Sequence, residues 1–248
     1  MNDFFSKGLI FSQFLKMNET NLLIITILCY LATILCAYFL GSLNFAIIIS
    51  GKQYRQDIRN FGSKNAGMTN MMRTYGKKAA GLTLLGDALK AVVACLIGYA
   101  LLGQMGAYIA GLFCIIGHMF PIYYRFKGGK GVVTAAITIL MCNPFVFLIL
   151  FVMFVIIVLF SKYISLGSVT CMLLYPLILN AIDSFMLDIP VSPYVWCSVL
   201  MTALVVIKHW ENIKRLREGK ESKFSFKKSV KTPTEENATI SNGDKNEQ

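Results

Sequence analysis

The sequence predicts an all-α, polytopic integral membrane protein of about seven transmembrane helices with its N-terminus outside. Three observations carry that expectation. Of 248 residues, 56% are hydrophobic and only 15% charged, which excludes the composition of an ordinary soluble enzyme. Long windows lack any charged residue. The net charge of +11 is crowded into the few polar segments between them, where cations meet lipid headgroups or phosphate-bearing substrates.

The charge-free windows are 22–50, 91–124, 131–161, 163–182 and 189–207, and each holds at least one span of about 20 residues. The second breaks at Gly103-Gln104-Met105-Gly106. Because Asp87 and Lys90 interrupt an apolar stretch that starts at Ala79, it divides into spans near 80–102 and 107–124. The window 131–161 is long for one span and short for two, and Asn143-Pro144 marks a break. Charge bias decides for two, since only then do the cations of 52–78, 125–130, Lys162 and the basic stretch from Lys208 share one side. Asp183 and Asp188 then lie opposite. Segment 131–142 is short for a full crossing and is expected to tilt or to be partly re-entrant.

A short N-terminal extension over 1–20 precedes the membrane domain, 21–218, and a polar, basic, disordered tail follows over 219–248. No cleavable signal peptide is evident. The seven cysteines lie in apolar runs without a Cys-x-x-Cys pair, so neither a disulfide framework nor a thiolate metal site is expected.

Three polar clusters fall on one side of this topology. The first runs from Ser42 and Asn44, at the end of the first span, through Asp57 and Arg59 to Ser63, Asn65, Thr69 and Asn70. Hydroxyls, amides and glycines there offer donors to phosphate oxygens, and Arg59 a bidentate fork; the cations alone would equally suit a basic loop that obeys the orientation rule. The second is Phe126-Lys127-Gly128-Gly129-Lys130-Gly131-Val132-Val133-Thr134. Glycines feeding a helix N-terminus form an anion cradle to which Lys127 and Lys130 add charge, although a hinge would also use glycines. It is not a Walker A sequence, and nucleotide hydrolysis is not supported. The third holds His209 and Asn212, three apart, and Glu221 beyond; a solvated juxtamembrane helix is the alternative. His118, close before the glycine loop, is either structural or catalytic. Asp87 and Lys90, three apart on one helix face, either brace a site or touch a ligand.

In order, GSLNFA, DIRxxGSKNAGMTN, DALK, GHMFPxxxxFKGGKGVVT and HWENIKRLxxGKE, spanning 41–221, resemble the bacterial acyl-phosphate:glycerol-3-phosphate acyltransferases, the PlsY family. The resemblance implies a seven-helix membrane enzyme with its motifs on the cytoplasmic face of the cell membrane. It would transfer an acyl group from acyl phosphate to the 1-hydroxyl of glycerol 3-phosphate, giving lysophosphatidic acid and phosphate for phospholipid synthesis. It places catalytic roles on Ser63, Arg59, Lys130, His209 and Asn212. Substrate binding falls to Ser42, Asn44, Asn65, Thr69, Asn70, Asp87, Lys90, His118, Lys127, Gly128, Gly129, Gly131, Thr134 and Glu221. The chain departs from the family at Lys64, Ala66 and Met68, usually Gly, Pro and Ala, and at Ala91, usually Gly, which bears on loop backbone rather than on polar positions.

Neither a cofactor, a metal nor a nucleic-acid partner is expected; membrane lipids are, and an acyl-phosphate-producing enzyme is a candidate partner. The His-x4-Asp signature of acyltransferases that use acyl-CoA or acyl-carrier protein is absent, because Tyr123 and Lys214 stand where the acid would follow His118 and His209. The alternative is a transporter of an organic phosphate, whose site should lie near the bilayer midplane between repeats. The sequence contains no internal repeat.

Overall fold

The computed structural model describes residues 18–224. Most of the expected extension and most of the expected tail lie outside them. Among the described residues the regular elements are helices: α1 Glu19–Ser42, α2 Phe45–Tyr54, α3 Met68–Tyr75, α4 Lys77–Met119, α5 Val132–Cys142, α6 Pro144–Ser161, α7 Ile164–Leu187, α8 Val195–Lys208 and α9 Trp210–Arg217. Short 3-10 turns occupy Ile58–Asn60 and Ile122–Tyr124.

Glu19–Tyr54, Lys77–Tyr124, α6 and α7 are long and apolar enough to cross a membrane, and α5 and α8 are shorter apolar helices. Their outward faces are apolar too. Phe160 and Phe185 are 86% and 85% exposed, and α6 buries little beyond Val146 and Leu150. Water would not tolerate such a surface, whereas hydrocarbon does. The molecule is an all-α integral membrane protein.

The breaks read from the sequence have physical causes. α4 consists of two arms, because Leu102 and Gly103 leave helical geometry and Gly103 takes φ 63°, a left-handed conformation that suits glycine. Between α5 and α6, Asn143 is extended and its Oδ1 accepts from the Val146 N–H at 3.2 Å. Pro144, which has no N–H to satisfy, opens α6. Asn143 Nδ2 also donates to Asp183 Oδ1 at 3.1 Å, while Ser192 donates to Asp183 Oδ2 at 2.6 Å. The buried carboxylate on α7 thereby holds the α5–α6 break in place.

The chain divides into two compact units. Among the described residues, the larger comprises 18–44 together with Gly86–Phe224. Its core includes Ile115, Met119, Ala135, Tyr175, Leu179, Met201 and Val205, and α7 packs against both α6 and α8. Small residues let its helices approach backbone to backbone, as membrane packing favours. A Cβ on Gly41 would meet the Cys114 carbonyl, one on Gly117 the Tyr38 carbonyl, and one on Gly111 the Thr138 side chain. The two arms of α4 touch at Gly98 and Gly106, each occupying the space where the other's side chain would start.

The smaller unit is Phe45–Leu85. Ser50 Oγ accepts from the Ile58 N–H at 3.2 Å, and Tyr54 stacks on Tyr75 at 3.9 Å between centroids. The Tyr75 hydroxyl donates to Gln56 at 3.1 Å, so α2, the 3-10 turn and α3 are tied together.

Gly98→Val or Gly106→Val is expected to destabilise the fold by about 1–3 kcal/mol through overpacking, read as a lower thermal midpoint in detergent. Gly81→Ala, with open space around its Cβ position, is the control. Equal midpoints for all three variants would contradict the tight crossing.

Candidate functional site

The first motif lies in the smaller unit. Asp57 caps the 3-10 turn by accepting from the Arg59 N–H at 2.9 Å. Its carboxylate also holds the Arg59 guanidinium, with Nε at 3.0 Å from each oxygen and Nη2 at 2.6 Å from Oδ2. The Arg59 side-chain hydrogen bond keeps the Asp57 carboxyl below its usual range despite burial. Asn70 organises the loop from within. Its Oδ1 accepts from the Ser63 N–H at 3.0 Å, and its Nδ2 donates to the carbonyls of Phe61 at 2.9 Å, Asn65 at 3.1 Å and Ile58 at 3.3 Å. A Cβ on Gly62, at φ 54°, would run into that amide. Asn70 is thus committed to shaping the loop, and Ser63 is carried exposed on it. Asn65 and Thr69 are half-buried, Thr69 in the first turn of α3.

In the larger unit, α1 ends in Ser42, whose hydroxyl bonds back to the Tyr38 carbonyl at 2.9 Å. Ser42 and the neighbouring Asn44 are fully buried. Lys90 Nζ lies 3.0 Å from the Gly41 carbonyl, 2.8 Å from that of Leu43, 2.8 Å from Asp87 Oδ1 and 2.9 Å from His118 Nδ1. Asp87, Lys90 and His118 are all buried.

The glycine loop hangs from the end of α4. The Gly129 N–H donates to the His118 carbonyl at 3.1 Å and that of Gly128 to the Met119 carbonyl at 3.2 Å. A Cβ on Gly128 would strike the His118 carbonyl, and one on Gly131, at φ 73°, would lie 2.8 Å from Met119 Cε. These two glycines therefore have a packing reason, independent of any ligand. α5 then begins at Gly131 without a side-chain cap. Two residues into the helix, the fully buried Thr134 hydroxyl has no hydrogen-bond partner among the described residues. Lys127 is exposed and Lys130 half-buried.

Lys130 Nζ donates to Asn212 Oδ1 on α9, joining the second cluster to the third. Asn212 Nδ2 donates to Glu221 Oε1 at 2.6 Å, Ser165 donates to the same oxygen at 2.9 Å, and Arg215 Nε reaches Glu221 Oε2 at 2.8 Å. Burial raises the Glu221 pKa, but these three hydrogen bonds together outweigh it and hold the carboxyl below its ordinary value. Residues 220–224 remain bound to the fold, since the Phe224 N–H donates to the Lys162 carbonyl at 2.7 Å. His209 Nδ1 lies 2.8 Å from the Val205 carbonyl; a carbonyl only accepts, so Nδ1 carries the proton. Burial is the main cause that pushes the His209 pKa down to about 4, leaving the imidazole neutral near pH 7.

Sequence reasoning did not include Ser165 in the site. A serine near the start of an apolar helix usually packs, and only the fold brings it to Glu221. Arg215, taken as part of a basic run, is likewise defined by its carboxylate partner.

A sequence model of the family described as glycerol-3-phosphate acyltransferase matches residues 31–219. Similar proteins of the same description include one from Finegoldia magna, 41% identical over 84% of this chain and 98% of the relative. Another, from Syntrophomonas wolfei, is 44% identical over 79% and 97%. Among solved structures, PlsY (YgiH), an integral membrane glycerol 3-phosphate acyltransferase in its glycerol 3-phosphate form, superposes with a TM-score of 0.70. It is 34% identical and the match covers 79% of this chain and 96% of that one. The family model's range, 31–219, takes in the end of α1, the first motif, the glycine loop and α9, as the sequence resemblance led one to expect, and the chain belongs to the glycerol-3-phosphate acyltransferase family.

Proposed function

We propose that the protein transfers an acyl group from acyl phosphate to the 1-hydroxyl of glycerol 3-phosphate at the cytoplasmic side of the cell membrane, forming lysophosphatidic acid and inorganic phosphate. The observation that supports this most is the start of α5. There, Lys130, amide groups without a side-chain cap and the Thr134 hydroxyl, which has no partner among the described residues, lie together, in a chain of this family. A helix N-terminus with an adjacent lysine is suited to phosphate oxygens, and both proposed substrates carry phosphate.

The reaction needs little covalent help. The hydroxyl oxygen bonds to the acyl carbon, the carbon–oxygen bond to phosphate breaks with its electron pair leaving on phosphate, and the hydroxyl proton must be accepted. Lys130 is proposed to stabilise the charge that gathers on phosphate; for Arg59 and Ser63 the family resemblance implies catalytic roles, Arg59 towards an anionic substrate group and Ser63 in orienting a substrate oxygen. A general base works best with a pKa near the working pH. His209, held down at about 4, is a weak base there, whereas a phosphate monoester titrates near about 6. Substrate phosphate is therefore the better proton acceptor, with neutral His209 serving as a hydrogen-bonding group. We therefore propose direct transfer, without an acyl-serine.

Proteoliposomes given acyl phosphate and glycerol 3-phosphate are expected to form lysophosphatidic acid. Arg59→Ala, Ser63→Ala and Lys130→Met should each lower turnover at least about tenfold, as losing a charge-stabilising donor does. Flux of glycerol 3-phosphate without product would instead indicate a transporter. In a cysteine-free background, single reporter cysteines at exposed positions near Gly129 and Asn212, such as Lys127 and Glu211, should resist a label added on the extracellular side, while those near Gln104 and at Asp188, exposed close to Asp183, react; the reverse pattern would contradict the cytoplasmic orientation.

His209 also fixes a pH dependence. Its folded value of about 4 lies below the ordinary 6.5, so on acidification the unfolded chain takes up a proton first. The contribution is complete above pH 6.5 and is lost as pH falls towards 4. Thermal midpoints in detergent should fall across that window for wild type and fall less for His209→Gln; parallel curves would show that His209 is not buried as a neutral ring.

A further inference from the structure

We infer that Asp87, Lys90 and His118 form a positioning lock that fixes the end of α1 and the glycine loop relative to each other, and that none of the three touches substrate. The inference rests on the proposed role of the glycine loop in holding substrate phosphate, and it assigns to these residues a task other than binding.

The argument begins with the donor capacity of Lys90. An ammonium offers three N–H donors. Three acceptors bond to Lys90 Nζ within 3.0 Å, the carbonyls of Gly41 and Leu43 and His118 Nδ1, and Asp87 Oδ1 adds an ion pair at 2.8 Å. Every proton has a protein acceptor, and none is left for a phosphate oxygen. The side chains of Lys90 and Asp87 are each 2% exposed, which leaves no face for a ligand to approach.

What the cluster holds is equally specific. Gly41 and Leu43 lie at the end of α1, where a helix leaves carbonyls without intrahelical partners and where its dipole favours a cation. Lys90 meets both requirements, and Asp87 offsets the cost of placing the ammonium in an apolar surrounding. His118 extends the connection. Its ring contacts Lys90, and Asp87 Oδ1 lies 3.5 Å from the same Nδ1. Its backbone carbonyl accepts the Gly129 N–H, and the next carbonyl, of Met119, accepts that of Gly128. Displacement of the His118 ring would shift the carbonyls on which the loop hangs, and with them Lys130. The Tyr38 hydroxyl, which donates to the Phe120 carbonyl at 3.0 Å, ties α1 to the same turn a second time.

The test compares Asp87→Asn, Lys90→Met, the double variant, His118→Asn and His118→Leu in lipid nanodiscs. Two readouts are taken: amide hydrogen exchange at Gly128 and Gly129, and steady-state kinetics with acyl phosphate and glycerol 3-phosphate. A lock predicts that either single charge variant speeds exchange at both glycines and lowers kcat at least about tenfold, because each strands a buried partner. The double variant, with no unpaired charge, should be less impaired than either. His118→Asn keeps a polar atom near the position of Nδ1 and should stay within about threefold of wild type, whereas His118→Leu should not.

If Lys90 instead touched substrate, Asp87→Asn would be mild and Lys90→Met would raise the KM for one substrate with exchange unchanged. The double variant would then be as poor as Lys90→Met. If His118 were an acid–base catalyst, His118→Asn would be as inactive as His118→Leu. Either pattern overturns the lock. Should wild type form no lysophosphatidic acid, the parent reading fails, while the exchange measurement still decides whether these three residues order the loop.

Discussion

A peptide group in hydrocarbon has no water to turn to, so each helix end within or at the edge of the membrane must deliver its orphan N–H and carbonyl groups to some partner. Much of this structure follows from how that requirement is met. The carbonyls at the end of α1 go to Lys90. At the junction of α5 and α6, one asparagine side chain caps the new helix and is itself held by Asp183. The amides of Gly128 and Gly129 go to the carbonyls that end α4. At the start of α5 no side-chain cap is provided, and Lys130 stands immediately before it. The same constraint that closes the other ends leaves this one suited to an anion.

Charge is handled with the same economy of partners. Asp57 orients the guanidinium of Arg59, Asp87 pairs with Lys90, and Glu221 gathers Asn212, Arg215 and Ser165. Each acid fixes the geometry of a group that a mobile side chain could not hold alone, which is the preorganisation that transfer between two phosphate-bearing molecules requires. His209 contributes in the opposite way. Buried and bonded to Val205 through Nδ1, it stays neutral and adds no positive charge beside Lys130.

The membrane class, the break in α4 near Gly103 and the break at Asn143-Pro144 were legible in the sequence, because hydropathy, glycine and proline act locally. The polar motifs were legible as groups of residues suited to phosphate. Their division of labour was not. Asn70 looks like a ligand-binding amide in sequence, yet its donors and its acceptor all meet the loop's own backbone. Gly128 looks like room for a phosphate, yet the His118 carbonyl already fills the place of its side chain. Ser165 gave no signal, since its partner Glu221 is far along the chain and meets it only through the packing of α7 and α9. Spacing along a helix reveals neighbours on one face; contacts between distant segments need the fold.

The central claim is that the first turn of α5 and Lys130 receive a substrate phosphate. Amide exchange at Val132, Val133 and Thr134, followed in nanodiscs with and without glycerol 3-phosphate, tests it most directly. The account predicts slower exchange at these three amides when ligand is added and no such slowing in Lys130→Met at the same concentration. Binding of glycerol 3-phosphate with unchanged exchange across this turn would contradict it.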